Sequence, residues 1–92
     1  MSNWTRFYHV GTLQQAARKV AVYGGRMALV AHVADEIGMP REQLRAAVDA
    51  MYRQGLVDLA KADMPQIIDR RDFADSVVND EQRGPLVYLK LS

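Results

Sequence analysis

Arg41, Gln43, Arg45 and Arg53 fall within thirteen residues of one another and share that stretch with Glu42 and Asp49. Arginine and glutamine are the side chains that hydrogen-bond base edges in a major groove, and arginine also neutralises phosphate. Arg45 and Gln43 therefore suit base readout, with Ala46 on the same outward face, while Arg41 and Arg53 suit phosphate contact. Glu42 and Asp49 oppose that chemistry, because each repels a phosphodiester backbone. Local pairing of Glu42 with Arg45 at i+3 and of Asp49 with Arg53 at i+4 would turn all four charges into an ordinary solvated helix surface. Both readings stay open on the residues alone.

No other constellation competes. Cysteine is absent, so there is no disulfide framework, thiolate zinc site or cysteine nucleophile. His9 and His32 are the only histidines and lie on different elements, too few for a metal site. Neither a glycine-rich phosphate loop nor a G-x-S-x-G turn occurs, and no pair of acids sits beside a nucleophile. An enzyme is not expected, and no cofactor is.

The elements that must position these residues can be read from spacing. Leu44, Ala47, Val48 and Met51 recur at i, i+3, i+4 and i+7, one buried stripe on a helix beginning near Pro40 and stopped by Gly55. Val33-Ala34 and Ile37 anchor a shorter helix before it, and Gly38 supplies the left-handed turn between the two. The product is a helix-turn-helix unit. Upstream, Leu13, Ala16, Ala17, Val20 and Ala21 form another buried stripe, with Thr12 and Gln15 as a T-x-x-Q capping box and Gly24-Gly25 as the stop. Arg18 and Lys19 point away from that stripe, either into solvent or toward phosphates. The helix that holds His32 has no evident capping residue at its start.

The pattern V-A-x-x-I-G-M-P-x-x-x-L, followed by an apolar stripe and then Q-G-L-V-D-L, resembles the winged-helix branch of the helix-turn-helix superfamily over about Met27 to Lys61. That resemblance implies a short strand over Arg26 to Val30, a recognition helix carrying Arg41 to Arg53, and a β-hairpin wing whose first strand begins in the G-L-V segment. The fold expected is thus α+β, mainly α: three helices, a small antiparallel wing and a long insert between its strands. Leu56 to Ala60 and Leu86 to Leu91 alternate as the two strands would. Between them runs KADMPQIIDRRDFADSVVNDEQRGP, far beyond the usual hairpin loop of about two to five residues. Its Ile67, Ile68, Phe73, Val77 and Val78 predict that it folds back on the domain or binds something. Pro65 and the Asp72 to Asp75 stretch each suit a helical turn, and Arg70-Arg71 reads as a basic pair, either salt-bridged by Asp69 and Asp72 or free to read a minor groove.

At 92 residues the chain suits one small domain, over 11–92 with the insert at 63–84, preceded by an arm over 1–10. The arm gathers Trp4, Phe7 and Tyr8, more aromatic surface than one small core needs, which predicts a homodimer interface. Net charge is +1, but residues 1–26 sum to +4 and residues 63–84 to −3. No run is long or apolar enough for a bilayer span and the start lacks a signal-peptide layout, so a cytoplasmic protein without membrane contact is expected. Two functions from different classes follow. One is a small DNA-binding transcriptional regulator, a dimer on duplex DNA through Arg41, Gln43, Arg45, Ala46 and Arg53, with Arg18 and Lys19 on phosphates. The other is a protein-interaction module, or small subunit of a larger assembly, that docks a partner through the winged-helix surface or the acidic insert and does not itself bind DNA.

Overall fold

The computed structural model describes residues 10–91. Trp4, Phe7 and Tyr8, the expected dimer contacts, lie outside them. In chain order the elements are α1 (Val10–Val20), β1 (Met27–Leu29), α2 (Val30–Ile37), α3 (Arg41–Arg53), β2 (Leu59–Ala60), a 3₁₀ turn (Pro65–Ile67), α4 (Arg70–Ser76), β3 (Val78–Asp80), β4 (Gly84–Leu86) and β5 (Tyr88–Lys90). The architecture is α+β, with four helices and antiparallel pairing throughout the two sheets.

The apolar stripes behave as their spacing requires. Leu13 and Ala17 of α1, Val33 and Ala34 of α2, and Leu44, Val48 and Met51 of α3 are buried in one core with Met39 from the turn between α2 and α3. Gly38 adopts φ 85°, and its N–H and that of Met39 both close on the Ala34 carbonyl, which ends α2 within one residue. A three-stranded sheet in the order β1-β5-β2 covers one side of this core. Leu89 in central β5 faces Ala28 on one neighbour and Leu59 on the other, and all three are fully buried.

The insert does fold back. The 3₁₀ turn begins at Pro65, Asp69 caps α4 by accepting from the N–H groups of Arg71 and Asp72, and β3 pairs with β4 in a separate hairpin. Val78 and Leu86 reach the main core, while Ile68, Phe73 and Val77 pack with Leu29, Val87 and Tyr88 in a second cluster. That burial accounts for the apolar content of the segment.

α2 starts without a capping side chain of its own. Its first two N–H groups are satisfied from far along the chain: Val30 donates to the Val87 carbonyl at 3.1 Å, and Ala31 donates to Ser76 Oγ at 2.9 Å. Ser76 is the last residue of α4 and fully buried, so the insert supplies the missing cap.

Several local expectations are corrected. Helix α1 begins at Val10, which puts Thr12 inside its first turn and not at a capping position, and it ends at Val20 before the glycines. Gly24 and Gly25 serve the turn that closes between Val22 and Met27, at φ 69° and 82°. Leu86 to Leu91 is not one strand: Leu86 belongs to the hairpin, Val87 crosses over, and pairing resumes at Tyr88 in the main sheet. Regular pairing in the Leu56 to Ala60 stretch is confined to Leu59–Ala60. The helices number four among the described residues, because the insert adds α4 to the expected three.

Candidate functional site

α3 turns Leu44, Val48 and Met51 inward, and a rotation of about 100° per residue then divides its remaining surface into two zones. Arg41, Arg45 and Tyr52 lie along one flank. Glu42, Gln43, Ala46, Ala50 and Arg53 face outward and are exposed. α4 and β3 of the insert run beside the first zone, and a groove lined by Glu42, Arg45, Ala46, Asp49, Arg53 and Val77 to Asn79 separates α3 from β3.

Arg41 is the hub of that flank. Its Nε and Nη2 donate to the two carboxylate oxygens of Asp35 in α2 at 3.0 and 2.7 Å, the bidentate fork suited to a carboxylate. Its Nη1 reaches Asp72 at 2.9 Å and Asp75 at 3.0 Å on α4. His32 Nε2 completes the cluster at 3.0 Å from Asp72 Oδ2. Asp35 is held below the usual carboxylate range by its hydrogen bond from Arg41, and Asp72 is lowered by its bonds from His32 and Arg41. The same carboxylates stabilise the guanidinium charge and push the Arg41 pKa up. With the side chains of Arg41 and Asp72 only 25% and 22% exposed, the contact is shielded more than an ordinary surface pair.

The other arginines of α3 also meet acceptors. Arg45 Nη1 approaches the Val77 carbonyl at 3.5 Å, and Arg53 donates to Asp49 at 2.6 Å and to the Asn79 carbonyl at 3.1 Å. Of the two local pairs considered, Asp49 with Arg53 forms. Glu42 with Arg45 does not, because Arg45 turns to Val77, between α4 and β3; Glu42 makes no ion pair among the described residues.

A second fastening holds the far end of the insert. Tyr52 Oη donates to Asp80 Oδ2 at 2.7 Å, and Arg83, in the turn between β3 and β4, donates to Tyr52 Oη, Asp58 Oδ1 and the Leu59 carbonyl at 3.2, 3.1 and 2.8 Å. Asp80 shapes the same turn by accepting from the N–H groups of Gln82 and Arg83. Those three hydrogen bonds, the one from Tyr52 foremost, bring the Asp80 carboxyl down to about 2.

Comparison of the chain with family models, with curated proteins and with solved structures finds no match. Gln43 and Ala46 are exposed as expected, whereas Arg41 and Arg45 are turned into the junction with the insert. Arg18 is exposed, and Lys19 stands 3.6 Å from Glu36. The expected salt-bridged run at Arg70-Arg71 does not form: Asp69 is the cap of α4 and Asp72 faces His32 and Arg41, which leaves both arginines exposed and without an ion pair among the described residues. Sequence reasoning missed Ser76, Tyr52 and Arg83. Only Arg83 carried a local signal, the D-E-Q-R-G turn that places it at the tip of a hairpin.

Proposed function

We propose that this chain is a winged-helix domain that works as a protein-docking module. The winged-helix reading draws support from the helix order, from the glycine turn before α3 and from the sheet order β1-β5-β2, in which the strands flanking the insert pair with each other. The docking reading rests on one observation: Arg41, Arg45 and Arg53 each donate to an acceptor in the insert, so the groups most useful for nucleic acid are engaged within the chain. What α3 leaves outward is Gln43, Ala46 and Ala50 beside Glu42 and the Asp49–Arg53 pair. Two acids against one arginine suit a polyanion poorly. Small uncharged side chains in the middle of the face allow a partner's backbone to approach closely.

A photoreactive side chain at position 50, irradiated in cells, tests this reading. Docking predicts a protease-sensitive adduct with another polypeptide. A nuclease-sensitive adduct overturns it.

The second reading, a dimeric DNA-binding regulator, has its own support. Arg18, Arg26, Lys61, Arg70 and Arg71 are exposed and make no ion pair among the described residues, which leaves cations for phosphate away from α3.

A further inference from the structure

β2 closes one end of the main sheet, so one of its edges has no strand beside it among the described residues. Lys90 donates to the Asp58 carbonyl and Val87 to the Ala60 carbonyl, each at 3.0 Å. Backbone groups of an antiparallel strand alternate in direction, which turns the N–H and C=O of Leu59 away from β5 and onto that open edge. Neither is left free. The N–H donates to Asp58 Oδ1 at 2.9 Å, and the carbonyl accepts from Arg83 Nη2 at 2.8 Å. Arg83 Nη1 meets the same Asp58 oxygen at 3.1 Å and Lys90 Nζ holds the other at 3.3 Å, so the two side chains form one plug. Arg83 and Asp58 are 42% and 55% exposed, so burial does not put them there. Other edges are closed in comparable ways. Arg53 takes the Asn79 carbonyl on β3, Pro85 offers no N–H on β4, and Val22 donates to the Met27 carbonyl on β1.

We infer that Arg83 and Asp58 hold shut an edge that would otherwise add the same strand of a second copy of the chain. The segment behind the plug is suited to pairing. Leu56 to Ala60, LVDLA, is apolar apart from Asp58 and holds no proline, and Leu56 is 53% exposed. A second copy presents an identical edge, and two such edges meet antiparallel about a two-fold axis, each Leu59 turned toward the other strand. Pairing of this kind asks for the N–H and the C=O together, and the plug occupies both. Arg83 belongs to the turn between β3 and β4, so the contact is an autoinhibitory one made by the insert on the strand that precedes it. The inference is independent of what α3 binds.

Sedimentation of the full chain over a dilution series tests this, with wild type, Arg83→Ala, Tyr52→Phe and the double variant Asp58→Ala with Arg83→Ala. The double variant, with both Leu59 groups released, should associate roughly tenfold more tightly than wild type, the worth of one or two recovered hydrogen bonds. The gain should bring the infrared band of intermolecular strands. A spin label on Lys61→Cys, in a chain with no other cysteine, should broaden in the associated form. Arg83→Ala should show the same signs by a smaller factor, and it decides the matter if the double variant does not fold. Tyr52→Phe loosens the hairpin from α3 but keeps both contacts to Leu59, so it should sediment as wild type does. Arg83→Ala and a folded double variant that sediment as wild type at every concentration would overturn the inference. Equal association in Tyr52→Phe, or association without the strand band, overturns it as well.

Discussion

The guanidinium of Arg41 lies 2.9 Å from the carboxylate of Asp72, joining the first turn of α3 to α4 across thirty-one positions of sequence. Asp35 and Asp75 share the same guanidinium, so one cation stands between three acids on α2 and the insert. Arg41→Ala removes the attraction and leaves the acids to repel. We expect it to lower stability by roughly 1–3 kcal/mol, the range for charge-assisted bonds at a partly shielded site. Denaturant unfolding measures this directly. An unchanged midpoint would mean that the cluster does not fasten the insert.

Ser76→Ala should cost about 1–3 kcal/mol although it deletes a single oxygen, because the Ala31 N–H is left buried without an acceptor. Ser76→Thr keeps the hydroxyl but adds a methyl group at a fully buried position, so steric cost and the retained bond oppose each other. Slowed amide exchange at Ala31 in the wild type, lost in Ser76→Ala, would tie the cost to that bond. Equal exchange in both would contradict it.

How far the sequence could be read follows from the range of each interaction. Leu44, Val48 and Met51 were legible because a buried helix face repeats every three or four residues, and Gly38 because only a left-handed residue ends one helix and turns into the next so tightly. The Asp49–Arg53 pair was legible for the same reason, since both partners lie on one helix. Ser76 was not, because its partner lies forty-five positions away and a lone serine in a helix carries no sign of what it caps. Arg41 and Arg45 read as groove-facing because spacing shows which side of a helix a residue occupies, but not what packs there. Leu86 to Leu91 alternates throughout and still breaks at Val87, since alternation cannot mark where a strand leaves one sheet for another.

Leu89→Ala and Leu44→Ala should each lower stability by roughly 2–5 kcal/mol. Leu89 is fully enclosed between β1 and β2, and Leu44 lies in the main core where α3 meets the rest of the domain. Thermal melts of both variants check this, and a loss under about 1 kcal/mol at either position would mean the core is organised differently.

Acid should destabilise the fold in a defined window. Asp35, Asp58 and Asp72 are held below their ordinary value near 3.8, and Asp80 is brought down to about 2. A carboxyl whose pKa is lowered in the folded state stabilises it at pH values above its unfolded pKa, and that contribution is lost as pH falls through the folded one. The melting temperature should therefore hold from pH 6 to about 5 and fall between about 4 and 2. Asp80→Asn should flatten the lower part of that fall. A melting temperature that stays level to pH 2 would contradict the assignment of these four groups.

The central claim is that the insert engages the arginines of α3 and so competes with nucleic acid for them. Titration of labelled random-sequence duplex at two salt concentrations, with wild type, Arg45→Ala and the double variant Asp72→Asn with Asp75→Asn, tests it most directly. The account predicts wild-type affinity no tighter than the non-specific range, roughly 10⁻⁴–10⁻⁶ M at physiological salt, and no change in Arg45→Ala. The double variant, with Arg41 partly released, should bind more tightly and with a steeper salt dependence. Wild-type binding in the nanomolar range that falls roughly five- to hundredfold in Arg45→Ala, the loss of one base contact, would contradict it.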